Sequence, residues 1–198
     1  FITGMLTCYF DFLTNEIITL FIPFILYFVK NNISNLKDAF KLLIKFGMIW
    51  FIGYISMFLA KWVIASIVLN INVLDLWNNY IKNDLFLRVN GNGHYLSNTP
   101  IFISAVQKNF ISLFPFNDFK FLIYFIPLIF VIFIKKRNWK TFFLLIIALC
   151  PYIRYMILAN HSYWHSAFTF RTQIISIMAI SLAIYYCIDW NMIKWKKN

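Results

Sequence analysis

Apolar runs separated by short polar breaks set the rhythm of this chain. A helix that crosses a bilayer needs roughly 20 mainly apolar residues, within a range of about 17–25. Residues 1–10 read as the end of one such run, which Asp11, Asn15 and Glu16 interrupt. Further runs follow at 17–29, with Pro23 inside, at 46–69, broken only by Lys61, and at 119–134. Two more lie at 141–158, loosened at Pro151 because proline lacks a backbone donor, and at 172–188. The pattern predicts an all-α integral membrane helical bundle, one domain over 1–198, with about five complete transmembrane helices and a partial first one. Because the chain opens inside an apolar run with no basic stretch before it, it reads as the later part of a longer protein rather than as a signal peptide.

Residues 70–118 form the one large loop in this scheme, with two amphipathic helices expected inside it. From 73 to 88, Val73, Leu76, Trp77, Tyr80, Ile81 and Leu87 share a face, opposite Asp75, Asn78, Asn79, Lys82 and Asn83. A second helix is expected after Thr99-Pro100, an N-cap followed by proline. It groups Phe102, Val106, Phe110 and Leu113 opposite Ser104, Gln107 and Lys108. Both are expected to lie in the membrane interface, apolar side down, or to pack on the bundle as a lid. Asp84 and Arg88, four apart near the apolar face, suit an i,i+4 ion pair. Charge on a membrane-facing side is costly, so the pair is also a candidate lining for a polar cavity.

Composition agrees with this layout. Of 198 residues, 62% are hydrophobic and only 13% charged, against about 25% charged in an ordinary soluble domain. A water-exposed surface cannot be covered by so few polar side chains. The net charge of +11 would suggest nucleic acid in a soluble protein, but here the positive residues flank apolar runs, so no nucleic-acid partner is expected. Lys30, Lys37, Lys41, Lys45, Lys135, Lys136, Arg137, Lys140, Lys194, Lys196 and Lys197 are 11 of the 18 Lys and Arg, and alternation of the runs puts them all on one side. By the positive-inside rule that side is cytoplasmic, which makes this a multi-pass cell-membrane protein with a cytoplasmic C-terminus and an extracytoplasmic 70–118 loop. Lys61 beside Trp62 is expected to snorkel to the head groups. Cys8, Cys150 and Cys187 lie far apart in apolar runs and form no metal or disulfide pattern. Abundant Ile, Asn, Lys and Phe hint at an AT-rich bacterial genome.

The densest polar cluster, Asn160-His161-Ser162-Tyr163-Trp164-His165, is followed by Phe168-Thr169-Phe170-Arg171. His161 and His165 have the i,i+4 spacing of zinc-binding helices, but the accompanying Glu is absent, so no cofactor is expected and a divalent metal is unsupported. Polar recognition or proton transfer suits these histidines better, as does simple interfacial hydrogen bonding. Arg154, about one turn before the outer end of its span, is expected to face inward. With Arg171 it makes a candidate clamp for one phosphate, since planar guanidinium forks match phosphate oxygens, although Arg171 alone would suit lipid phosphates. Asp11 is either an N-cap or, among its aromatic neighbours, a proton-exchange group.

Tyr9-Phe10-Asp11-Phe12-Leu13-Thr14, Lys61-Trp62, Asn160-His161-Ser162 and Phe168-Thr169-Phe170-Arg171, with the outer loop, resemble bacterial GT-C-type polytopic membrane glycosyltransferases and uncharacterised bacterial membrane proteins of the same layout. The resemblance implies sugar transfer from a polyprenyl-phosphate carrier at the non-cytoplasmic face. It implies Arg154, Arg171, His161 and His165 as contacts to the lipid-linked sugar, and a catalytic acidic residue upstream of this chain. A transporter or flippase of lipid-linked or anionic solutes stands beside this reading, because charge next to a proline-broken helix also occurs there. A noncatalytic membrane subunit is the third. Polar residues gathered at one face, rather than at the midplane, tilt the sequence toward the enzyme.

Overall fold

Asn35 starts the longest helix among the described residues. Its side chain accepts a hydrogen bond from the Asp38 amide at 2.9 Å, and Asp38 adds a negative charge to the first turn. The helix then runs to Leu69 and stops at Asn70, whose left-handed conformation (φ 54°, ψ 41°) asparagine tolerates better than most residues. In the computed structural model, which describes residues 1–10, 14–31, 33–91, 100–113 and 138–187, every regular element is helical. In order they are α1 (Ile2–Phe10), α2 (Ile18–Lys30), α3 (Leu36–Leu69) and α4 (Val73–Leu76), then a π-helical turn (Trp77–Ile81) that leads into α5 (Lys82–Asn90). After these come α6 (Ile101–Leu113), α7 (Trp139–Ile157), α8 (Ala159–Trp164), α9 (Ser166–Thr169), a 3₁₀ turn (Phe170–Gln173) and α10 (Ile174–Cys187).

Three stretches are long and apolar enough to cross a membrane: α3, α7, and the continuous 22-residue helical segment Ser166–Cys187. Only 17% of the most apolar window of α3 is buried by the rest of the protein. Such a bare apolar surface is stable against lipid and not against water. At about 1.5 Å per residue, the 34 residues of α3 are longer than a hydrocarbon core of about 30 Å requires. Of the expected spans, the one at 17–29 becomes the 13-residue α2, too short by length to count with these three, and the one at 119–134 lies outside the described residues.

Phenylalanine holds one end of the bundle together. Phe143 of α7 meets Phe28 and Phe40 at ring distances of 5.1 Å each, and Phe24 at 6.0 Å, while Phe28 also meets Trp139 at 6.0 Å. The end of α2, the start of α3 and the start of α7 therefore lie together, and Cys187 at the end of α10 joins them beside Thr141. Lys30, Lys37, Lys41, Lys45 and Lys140 all belong to these ends. Ala148, Ala179 and Ala183 are buried between α7 and α10, where Ser176 donates to the Ala148 carbonyl at 2.7 Å. Small residues let two apolar helices approach where no hydrophobic driving force separates lipid from protein.

The same device joins α1 to α3. A methyl group on Gly4 would run into the Trp50 carbonyl, and one on Gly53 into the Phe1 carbonyl. Thr19 of α2 closes this corner, paired with Thr7 at 2.7 Å and accepting from the Trp50 indole at 3.0 Å. Lys61 adds a polar contact to the same pair of helices. Its half-buried ammonium donates to the Cys8 and Tyr9 carbonyls, at 2.5 and 3.2 Å. The last carbonyls of a helix lack intrahelical donors and carry the negative end of its dipole, so a lysine within reach caps them.

Candidate functional site

At the end of the bundle opposite the phenylalanine cluster, α5 and α6 pack against α8. The π turn decides what α5 presents there. Leu76 and Ile81 are both buried, at 3% and 2% exposure. Five positions apart on a regular α-helix they would point about 140° away from each other; the wider turn brings both onto the packed side. Asp84 and Arg88, about one and two turns further on, then line a cleft with α8.

Arg88 Nε donates to Asp84 Oδ2 at 2.8 Å, and its Nη1 lies 3.3 Å from His161 Nδ1. A guanidinium has donors only, so His161 Nδ1 must accept, which in the neutral ring puts the proton on Nε2. His161 is buried and His165 exposed, with their ring centroids 4.7 Å apart. Asn160 donates to the Leu87 carbonyl at 2.7 Å and fastens α8 to α5. Asp84, Leu87, Arg88, Asn160, His161, Trp164 and His165 enclose a cleft of about 240 Å³. Asp84 and Arg88, which the sequence left between a plain ion pair and a cavity lining, thus both pair and border a cleft that the two histidines share. Trp164, 62% exposed, forms part of the rim. Lys108 of α6 stands next to it, its ammonium 4.2 Å from the Tyr163 ring centre.

Arg154 faces inward beneath this cleft and meets a carboxylate of the protein itself. Its Nε and Nη2 bond Glu16 Oε1 and Oε2 at 2.9 and 3.0 Å, with 6% and 8% of the two side chains exposed. Nη2 also reaches the Thr14 carbonyl at 3.1 Å, and Nη1 reaches Ser162 Oγ at 3.2 Å. Arg171 is exposed, its guanidinium carbon 5.6 Å from the Phe168 ring centre. The two-arginine clamp expected from the sequence is thus replaced, at Arg154, by a bidentate internal ion pair. Asp11 lies outside the described residues.

Asn109 makes the second buried junction. It donates to the Ala105 and Ser162 carbonyls at 2.8 and 2.7 Å, and its Oδ1 accepts from Thr169 at 2.6 Å. Gln173 donates to its backbone carbonyl at 2.8 Å, and Tyr155 donates to the Thr169 carbonyl at 2.9 Å. The face that α6 buries against the protein is therefore the Ala105–Asn109 line, and Phe102, on the apolar face expected to lie toward the membrane interface, is 39% exposed and outside that line. Periodicity could not single out Asn109, since one polar residue near an apolar stripe carries no distinguishing signal. Asn160 and Trp164, read in the sequence only as members of the polar cluster around the histidines, also line the cleft. Among the described residues, no three His, Cys, Asp or Glu side chains are grouped to hold a metal ion.

Comparison with family models, with curated proteins and with solved structures returned no match for this chain.

Proposed function

We propose that this protein transfers a sugar from a polyprenyl-phosphate carrier at the non-cytoplasmic face of the cell membrane, and that the Arg88–His161 cleft holds the carrier's phosphate. One observation carries the reading. Two segments 73 positions apart bring a guanidinium and an imidazole within 3.3 Å of each other, in a cleft that His165, Asn160 and Trp164 complete.

The size of the cleft suits part of such a ligand. Pockets for whole small molecules run from about 300 to 1,000 Å³, so about 240 Å³ fits a phosphate with part of one sugar while the polyprenyl tail stays in lipid. Arg88 supplies fixed positive charge in a planar fork. In transfer, negative charge builds on the departing lipid phosphate, and donors already in place stabilise it without reorganisation. His161 and His165 contribute hydrogen bonds to the same oxygens or to sugar hydroxyls. Arg171, exposed and outside the lining of the cleft, contacts neighbouring lipid phosphates.

The full-length protein, assayed with labelled polyprenyl-linked sugar, tests the proposal. Arg88→Ala and His161→Ala are expected to abolish transfer while the protein still inserts in the membrane. Normal transfer by the Arg88→Ala, His161→Ala double variant would sink it. Movement of the labelled lipid between leaflets, with no product formed, would support a flippase instead.

A further inference from the structure

We infer that Arg154 and Glu16, which lie outside the cleft, are positioning residues for His161 and act through Ser162. The inference rests on the proposed anion site for its functional consequence, but its structural content stands on separate contacts. Ser162 follows His161 directly and is fully buried. Its hydroxyl takes a hydrogen bond from Arg154 Nη1 at 3.2 Å, and its carbonyl takes one from Asn109 Nδ2 at 2.7 Å. The backbone next to His161 is therefore gripped from α7 on one side and α6 on the other.

Each grip is itself anchored. Glu16 engages two other nitrogens of Arg154, Nε and Nη2, which fixes the plane of the guanidinium and leaves Nη1 directed at Ser162. Thr169 donates to Asn109 Oδ1 at 2.6 Å and so fixes which way that amide points. With Ser162 held at two atoms, the His161 ring is set where its Nδ1 can accept from Arg88. A binding group whose own support is locked keeps its geometry to a fraction of an ångström, and one left loose does not. The pair from Glu16 to Arg154 also joins the N-terminal segment to this loop across 138 positions of sequence.

The ring nitrogens of His161 report this role directly. Full-chain protein in lipid nanodiscs, labelled with ¹⁵N at histidine, gives the Nδ1 and Nε2 resonances, and His161→Gln assigns them. Ser162→Ala removes only the hydroxyl, and the Glu16→Gln, Arg154→Met double variant removes the charges as a pair. Both are expected to keep the helical content of the parent, to move the His161 resonances toward those of an unrestrained imidazole, and to weaken inorganic pyrophosphate binding about tenfold, an effect of the size of one hydrogen bond to a charged group. Unchanged His161 resonances in a folded Ser162→Ala protein would overturn the inference. If the parent binds no pyrophosphate while the resonances still move, the anion-site reading fails and the positioning role stands.

Discussion

Glu16 and Arg154 meet in a bidentate ion pair with both side chains more than nine-tenths buried. Charges so far from water are stable only as a pair, because each alone would carry its full desolvation cost. Removing one partner is therefore far more damaging than removing both. Glu16→Ala is expected to destabilise the protein by about 3–5 kcal/mol. Replacing both residues with apolar side chains of similar volume should restore most of that. Equilibrium unfolding in detergent measures both, and equal stability of the single and double variants would refute the pairing argument.

Asp84 and Arg88 form an ion pair of the opposite kind, with 47% and 22% of their side chains exposed. Solvent screens such pairs, and i,i+4 examples contribute about 0.3–0.5 kcal/mol. Asp84→Asn should hence leave unfolding almost unchanged. Arg88→Lys is the more informative variant, because it keeps the charge and discards the planar fork that reaches Asp84 and His161 together. It should remain folded and still lose most binding of the labelled lipid-linked sugar, measured by co-purification with nanodiscs.

Asn109→Leu tests the buried junction between α6 and the loop. The substitution keeps approximate volume but withdraws an acceptor from Thr169 and donors from the Ala105 and Ser162 carbonyls. Thr169 Oγ1 still reaches the His165 and Ser162 carbonyls, at 3.1 and 3.4 Å, so part of the loss is recovered. A destabilisation of about 1–3 kcal/mol, the cost of one buried polar group deprived of its partner, is expected in thermal or denaturant unfolding. Hydrogen exchange should locate the loosening at α6, α8 and α9 rather than along α3.

What the sequence made readable was what depends on near neighbours along the chain. Apolar runs gave the three long helices, because lipid demands some 20 apolar residues in succession and few other constraints produce them. The Asp84–Arg88 and His161–His165 relationships followed from spacing within one helical stretch. The partner of Arg154 did not, since Glu16 arrives from 138 positions away and its side chain looks like any helix-adjacent acid. The partners of Lys61 are hidden for a related reason: the carbonyls it caps belong to α1, and their position depends on the Gly4–Gly53 approach that brings α1 onto α3. The buried face of α6 was hidden because packing selected Ala105 and Asn109, small and polar, over the larger apolar stripe beside them.

The α1–α3 contact predicts a steric failure of its own. Any side chain on Gly53 meets backbone, the Phe1 carbonyl, and backbone cannot turn aside as a flexible side chain would. Gly53→Val should separate the two helices, cost about 1–3 kcal/mol or more as an overpacked contact, and withdraw the Cys8 and Tyr9 carbonyls from Lys61. Loss of crosslinking between cysteines placed at Thr3 and Tyr54 would record the separation.

The two ends of the bundle also differ in a way that fixes an expected orientation. Lys30, Lys37, Lys41, Lys45 and Lys140 gather at the phenylalanine end, and the cleft with Trp164 lies at the other. A bilayer with positive residues on its cytoplasmic side then leaves the cleft outside. Single cysteines in place of Lys37 and Trp164 distinguish the sides in a Cys150→Ser background, which removes the native thiol that is only half-buried, while Cys8 and Cys187 are buried. In intact cells a membrane-impermeant maleimide should label Trp164→Cys and not Lys37→Cys, which should react only after permeabilisation. The reverse pattern would place the cleft in the cytoplasm, where a carrier lipid of the outer leaflet does not reach it, and would remove the physical basis for the proposed transfer.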